Sequence, residues 1–304
     1  MTTSPLRFDG RVAIVTGAAR GLGRAYAALL ADLGAKVVVN DLGTSLTGDV
    51  DGTSPAEQAA AELCASGAEA IANDSDIGDP VQAHALINEA LAAFGRIDIL
   101  VTNAGIVSRG PFATTSAATF DAHLRVHLHG TFNTCRGAWP TMLDQQYGRI
   151  VTVVSAAMFG MDNVASYASA KGGILGLTKS MAFEGAPDGI RVNGVAPVAY
   201  TRMTAAGRVG DMPEAACIPS LSADRVAATV AVLAHEQCPT TGELFSATGT
   251  QVSRIFLGET SGYRDQAITP DRLLEHWPQV MDVSSYEVAM PRAEGQTTEL
   301  TARK

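Results

Sequence analysis

"VAIVTGAARGLGRA", residues 12–25, is the stretch that decides the fold. Val12 to Thr16 are mostly β-branched and apolar and read as a short buried strand, whereas the residues from Gly21 onward are Ala- and Leu-rich and read as a helix. Between the two, Gly17, Gly21 and Gly23 allow a tight turn and let backbone amides and the start of the helix approach a ligand. A helix N-terminus offers unpaired N–H groups and the positive end of the macrodipole, so the strand, turn and helix together predict a cradle for a dinucleotide pyrophosphate. Three glycines alone would be weak support; the strand before them and the helix after them make the reading specific.

The same alternation continues along the chain. Strand candidates are 12–16, 36–40, 69–73, 97–101, 149–155, 190–196 and 242–247, with helices expected near 21–33, 55–66, 80–94, 116–143, 165–185 and 222–234. Near-continuous apolar strands separated by helices signal a parallel sheet covered on both faces. Right-handed crossovers then give an α/β, doubly wound Rossmann fold with seven parallel strands. One dinucleotide-binding domain over residues 1–257 accounts for them, followed by an extension, 258–304, with one helix at 269–282 and a flexible end. "DLGTSLTGDVDGTSP" (41–55) reads as a surface loop.

Composition narrows the function. The net charge of −9 repels polyanions and argues against nucleic acid or an anionic membrane as partner. No apolar run approaches the roughly 20 residues a bilayer crossing needs, and the N-terminal residues lack a signal-peptide core, so a cytoplasmic protein is expected. Cys64, Cys135, Cys217 and Cys238 are scattered, which predicts free thiols and no metal site.

Strand two ends in "VVVNDL", placing Asp41 where a carboxylate accepts bonds from ribose hydroxyls and repels a 2′-phosphate. Arg20, beside Leu22 in the glycine loop, has the opposite preference, since it could pair with that phosphate. Repulsion between fixed anions in a cleft outweighs what a flexible arginine recovers, so NAD is favoured over NADP.

"SYASAK" (166–171) sets Tyr167 and Lys171 four residues apart, on one face of a helix. Removing a proton from an alcohol requires a base, and a free phenol, with a pKa near 10, is a poor one at neutral pH. A neighbouring ammonium stabilises the phenolate, so Lys171 is expected to draw the Tyr167 pKa down.

In order along the chain, TGxxxGxG at Thr16 to Gly23, Asp76 with an apolar residue after it, the turn "TNAG", a strand-end Ser155 and YxxxK resemble the short-chain dehydrogenase/reductase family over about residues 8–250. "VVVNDLG", "FGRIDILVTNAGI", "RVHLHGTF", "YGRIVT", "EGAPDGIRVNGVAP", "TRMT" and "HEQC" before "GELFSA" are similar to a narrower group, the (3R)-hydroxyacyl-CoA dehydrogenase domains of peroxisomal multifunctional enzymes of type 2, through about residue 280. The resemblance implies that Asp76 and Ile77 flank the adenine, that Asn103, Ala104 and Gly105 line the cofactor floor, and that Pro197 and Thr201 contact the nicotinamide amide. It implies that Asn193 supports the sheet end, that Lys171 also bonds the nicotinamide ribose, and that Ser155 bonds the substrate oxygen beside the base Tyr167. Three positions depart from the family pattern: Thr102 replaces the first Asn of NNAG, Val198 the Gly after Pro197, and His127 the helical Asn of the proton relay. His127, near His123 and His129, reads as an ordinary buried imidazole or as a member of that relay.

The resemblance implies oxidation of a (3R)-3-hydroxyacyl-CoA with NAD. A hydroxysteroid or other secondary-alcohol dehydrogenase is the rival, and a dinucleotide-binding protein without turnover is the remote alternative. Arg109, Arg202 and Arg208 are the cations available for the phosphates of CoA, near an apolar lid at 205–220. The apolar surface of residues 167–185 suggests subunit contacts, and the resemblance implies a homodimer or homotetramer paired through this helix.

Overall fold

The computed structural model describes residues 6–44, 54–200 and 219–289. Strands β1 (Val12–Thr16), β2 (Lys36–Asn40), β3 (Ala70–Asn73), β4 (Ile99–Thr102), β5 (Gly148–Val153), β6 (Ile190–Pro197), β7 (Leu244–Ala247) and β8 (Val252–Ile255) form one sheet in the order β3-β2-β1-β4-β5-β6-β7-β8. Every registered pair from β3 across to β7 is parallel. The order reverses direction between β1 and β4, which opens a crevice at the carboxyl ends of the strands.

The helices are α1 (Gly21–Asp32), α2 (Pro55–Ala65), α3 (Pro80–Phe94), α4 (Ala117–His123), α5 (Gly130–Gln145), α6 (Ala165–Gly185) and α7 (Ala223–Ala234). Local chemistry fixes their ends. Asp79 caps α3 by accepting from the Val81 and Gln82 amides at 2.8 and 3.0 Å, Pro80 starts it, and Gly95 closes it in the left-handed region at φ +76°, donating to the Leu91 carbonyl.

Successive strand residues feed opposite layers. Ala13, Val15, Val37 and Val39 pack with α1 and α7, while Ile14, Val38 and Leu100 pack with α3 and α5. Burying both faces explains why these strands are apolar at every position, and it leaves the polar chemistry to the strand ends.

Three expectations need correction. The sheet has eight strands, because Val252–Ile255 adds an edge strand whose side chains are largely exposed and which therefore lacks the apolar run that marks a buried one. The helix expected over 116–143 is instead α4, a π-helical segment Leu124–His129 and α5. The helix expected over 269–282 is two pieces, α8 (Pro270–Glu275) and α9 (Trp277–Val280), because Pro278 has no N–H to give the Leu274 carbonyl.

The chain divides into two compact units between Arg254 and Ile255. Within the second, β9 (Gly258–Thr260) pairs antiparallel with β10 (Tyr286–Val288), and Tyr263 stacks on His276 at 4.3 Å. Most of the loop over 41–55, the lid region with Arg202, Arg208 and Cys217, and the terminal residues 290–304 lie outside the described residues. No helix among the described residues is long and apolar enough to cross a membrane.

Candidate active site

The glycine turn is laced to the neighbouring strand end. Thr16 Oγ1 accepts from the Asn103 and Ala104 amides at 3.0 and 3.1 Å, and Asn103 Nδ2 donates to the Thr16 and Gly17 carbonyls, each at 3.0 Å. Gly17 has φ +62°, and a Cβ there would lie 2.7 Å from the Ala104 Cα. A Cβ on Gly23 would lie 2.1 Å from the Gly17 carbonyl oxygen. The turn therefore has room for backbone and none for side chains. The first turn of α1 holds no acidic residue, and its N-cap, Arg20, places no side-chain cap on the amides. Those amides suit a pyrophosphate, so the cradle fits a dinucleotide.

Asp41 lies just past β2. Its carboxylate accepts from the Ala19 amide at 3.1 Å and the Gly43 amide at 3.0 Å, so it also ties the glycine turn to the β2 end. Asp76 accepts from the Gly78 amide at 2.9 Å and from the Arg125 guanidinium. Ile77 is buried, and its carbonyl accepts from Asn133 Nδ2 at 3.0 Å. Asn193 is fully buried at the far side of the sheet, donating to the Thr240 carbonyl at 2.9 Å and accepting from the Glu243 amide, which binds β6 to the turn before β7.

Ser155 follows β5 and caps the short 3-10 turn Ala156–Phe159, its Oγ accepting from the Ala157 amide at 3.2 Å. Tyr167 lies in the first turn of α6 and Lys171 one turn later, buried, with Nζ donating to the Val153 carbonyl at 2.6 Å and standing 5.7 Å from the Tyr167 ring centre. Burial pushes the Lys171 pKa down to about 7. Burial also raises the Tyr167 phenol, and the groups that pull it back are Ser155, through a hydrogen bond, and the positive charge of Arg109. The expected lowering of the phenol by Lys171 is not what this arrangement produces. The lysine is itself buried and drawn towards its neutral form, and its nitrogen faces the Val153 carbonyl.

His127 stands edge-on to Tyr167 with ring centres 5.1 Å apart, and His123 stacks on it at 6.1 Å. Its Nε2 meets the Ile106 carbonyl at 2.8 Å and the Ile106 amide at 3.2 Å, while the buried Nδ1 has no protein partner. Burial first, then the charge of Lys171, holds this imidazole well below its usual pKa, so it is neutral. The π turn that carries His127 replaces regular α-helix over Leu124–His129.

One cleft of about 540 Å³ gathers these parts. Gly17, Arg20, Gly21, Leu22, Gly23, Asp41, Asp76, Ile77, Asn103, Ala104, Gly105, Ser155, Tyr167, Lys171 and Pro197 all line it; Thr201 lies outside the described residues. Met161, Val164 and Ala199 line it too and were not expected, since single apolar residues in loops carry no signal of their own. Among the described residues no cluster of three or more His, Cys, Asp or Glu is placed to hold a metal.

The profile of the short chain dehydrogenase family matches residues 11–209. The chain is 41% identical over 288 residues to the peroxisomal multifunctional enzyme type 2 of Mus musculus, covering 93% of this chain and 38% of that protein; the chain thus spans well under half the length of this relative. The crystal structure of a short chain dehydrogenase from Mycobacterium avium superposes with a TM-score of 0.78 at 36% identity, covering 90% of this chain and 97% of the other. A Beutenbergia cavernae structure solved with bound NADP at low occupancy gives a TM-score of 0.71 at 33% identity, covering 81% and 98%.

Proposed function

This chain belongs to the short chain dehydrogenase family, and on that footing we propose that it oxidises the hydroxyl of a (3R)-3-hydroxyacyl-CoA to the 3-oxoacyl-CoA with NAD. That it is an oxidoreductase acting on CH–OH with a nicotinamide dinucleotide follows from the family. The acyl-CoA rests on the likeness to the multifunctional enzyme. The observation that carries the reading is the convergence of Ser155, Tyr167 and Lys171 on the cleft whose other end is the glycine cradle.

When bound, the nicotinamide ring supplies the hydride acceptor. The amides of the glycine turn and of the first turn of α1 would hold its pyrophosphate, Asp41 the adenosine ribose, Asp76 and Ile77 the adenine, and Lys171 the nicotinamide ribose. Asp41 favours NAD, because a 2′-phosphate would meet a carboxylate held in place by two amides. Tyr167 takes the hydroxyl proton while Ser155 donates to the substrate oxygen and steadies the charge that forms there. A desolvated phenol alone is a weak base; the Ser155 hydrogen bond and the charge of Arg109 favour its phenolate. His127 stays neutral and edges the phenol ring.

The apolar face of α5 and α6 is read as a subunit contact. Phe132 and Phe183 remain about half exposed there, beside a cleft of about 670 Å³ lined by Trp139 and Met181. A homodimer or homotetramer would cover it, and light scattering of the purified chain measures its size. A cytoplasmic setting accords with Cys64, Cys135 and Cys238 being free thiols.

NADH and NADPH formation across 3-hydroxyacyl-CoA thioesters of increasing length and a set of hydroxysteroids tests the reading. Highest kcat/KM on a (3R)-thioester with NAD is the expected result; preference for a steroid alcohol would overturn the substrate assignment.

A further inference from the structure

Arg109 occupies a loop fastened at nearly every other residue. His127 Nε2 lies 2.8 Å from the Ile106 carbonyl, to which it donates as an N–H, so the ring holds Ile106 at its carbonyl. His123 Nδ1 meets the Thr119 carbonyl at 2.8 Å, which makes it the donor and leaves Nε2 to accept from the Ser108 amide at 3.2 Å. The Gly110 amide donates at 2.9 Å to the carbonyl of Asn163, a residue itself in the left-handed region at φ +61°. The two imidazoles that the family resemblance left without a clear part thus act on backbone, and the backbone they fix carries Arg109.

That arginine is exposed and lines the same cleft as Ser155, Tyr167 and the apolar Met161 and Val164. No ion pair among the described residues includes it, whereas Arg125, elsewhere on the cleft wall, is tied to Asp76. Tyr167 is faced by Ser155 from the end of β5, by Lys171 from its own helix, by His127 from the π turn and by Arg109 from this loop. The bond from Gly110 to Asn163, four residues before Tyr167, places the Arg109 loop at the end of the cleft that holds the phenol.

We propose that Arg109 is a specificity-determining residue that donates hydrogen bonds to a carbonyl oxygen flanking the carbinol carbon of the substrate. Resting on the hydroxyacyl reading above, that oxygen is the thioester C=O, one methylene away from the carbon that is oxidised. The phosphates of CoA, a whole pantetheine arm further out, are then not the ligand of this arginine. A guanidinium suits the task because its planar fork stays charged at every working pH and points at a fixed oxygen once the loop is fixed.

The test compares the wild-type enzyme with Arg109→Met and Arg109→Lys on three substrates with NAD: (3R)-3-hydroxybutyryl-CoA, the N-acetylcysteamine thioester of the same acid, and pentan-2-ol. The second keeps the thioester carbonyl and discards the phosphates; the third keeps only the carbinol. Arg109→Met is expected to lower kcat/KM on both thioesters about 10- to 100-fold further than on pentan-2-ol, as for loss of a hydrogen bond to a charged group, the common part of the loss reading the charge removed from beside the Tyr167 phenol. Arg109→Lys should recover part of the loss. NADH affinity and melting temperature, read on the same samples, should not move. Equal losses on all three substrates, no loss on the thioesters, or a loss confined to the CoA ester would each overturn the proposal. A wild-type enzyme that handles pentan-2-ol as well as the two thioesters instead sinks the hydroxyacyl reading, and this is seen before any variant is assayed.

Discussion

Lys171 and Tyr167 stand one helical turn apart on α6, the lysine nitrogen 5.7 Å from the centre of the phenol ring, while that nitrogen donates to the Val153 carbonyl at 2.6 Å. A buried lysine and a half-buried tyrosine thus share one cleft. Burial raises the phenol and lowers the amine to about 7, so each is drawn towards its uncharged form.

Tyr167→Phe removes the proposed proton acceptor and leaves the ring packing against His127 in place. Turnover should fall by about 10²- to 10⁴-fold, the usual contribution of a positioned acid–base group, with NADH affinity kept. Steady-state rates and NADH fluorescence titration check this; a variant retaining most of its activity would remove Tyr167 from the mechanism.

The pH dependence of stability carries the mark of Lys171. Its folded pKa of about 7 lies below that of an unfolded lysine, so between about pH 7 and about pH 10 the unfolded chain holds a proton that the folded chain does not. Lys171 therefore makes stability rise with pH across that window, by at most about 1.4 kcal/mol per pH unit, and adds no slope below it. Tyr167, raised by burial, works the other way above about pH 10, where the unfolded phenol loses its proton first. Urea unfolding from about pH 7 to about pH 9 should show a shallower rise for Lys171→Met than for the wild type; parallel curves would mean the amine keeps an ordinary pKa.

Asp41→Ala removes the carboxylate proposed to hold the adenosine ribose. The ratio of kcat/KM for NADP over NAD should rise by about tenfold or more, equivalent to about 1.4 kcal/mol. Because the same carboxylate accepts from the Ala19 and Gly43 amides, NAD affinity should fall as well. Kinetics with both cofactors read the two effects separately, and an unmoved ratio would count against the assignment.

Gly23→Ala sets a methyl carbon 2.1 Å from the Gly17 carbonyl, against backbone that cannot give way without opening the turn. Dinucleotide binding should be lost, with a destabilisation of about 1–3 kcal/mol from overpacking. Calorimetric titration with NADH and thermal melts measure both; unchanged affinity would show that the turn is not the pyrophosphate site.

Much of the fold is legible in the sequence because its signals are local. The apolar run at 36–40, the Asp-Pro start and Gly stop of α3, and the glycine turn after Thr16 each confine the backbone within a few residues. The edge strand Val252–Ile255 escapes that reading, since an exposed strand needs no apolar pattern. The π turn escapes it too, because the wider backbone at Leu124–His129 leaves no mark in spacing distinct from that of a helix.

The order of the seven parallel strands and the glycine turn after the first of them were legible in the sequence alone, through propensity, periodicity and the steric freedom of glycine. The tertiary structure decided which way the Tyr167 phenol shifts and why two histidines sit beside it. Ser155, Arg109 and Lys171 reach that phenol from three separate parts of the chain, and desolvation and charge act through space, so neither effect exists until folding has brought those parts together.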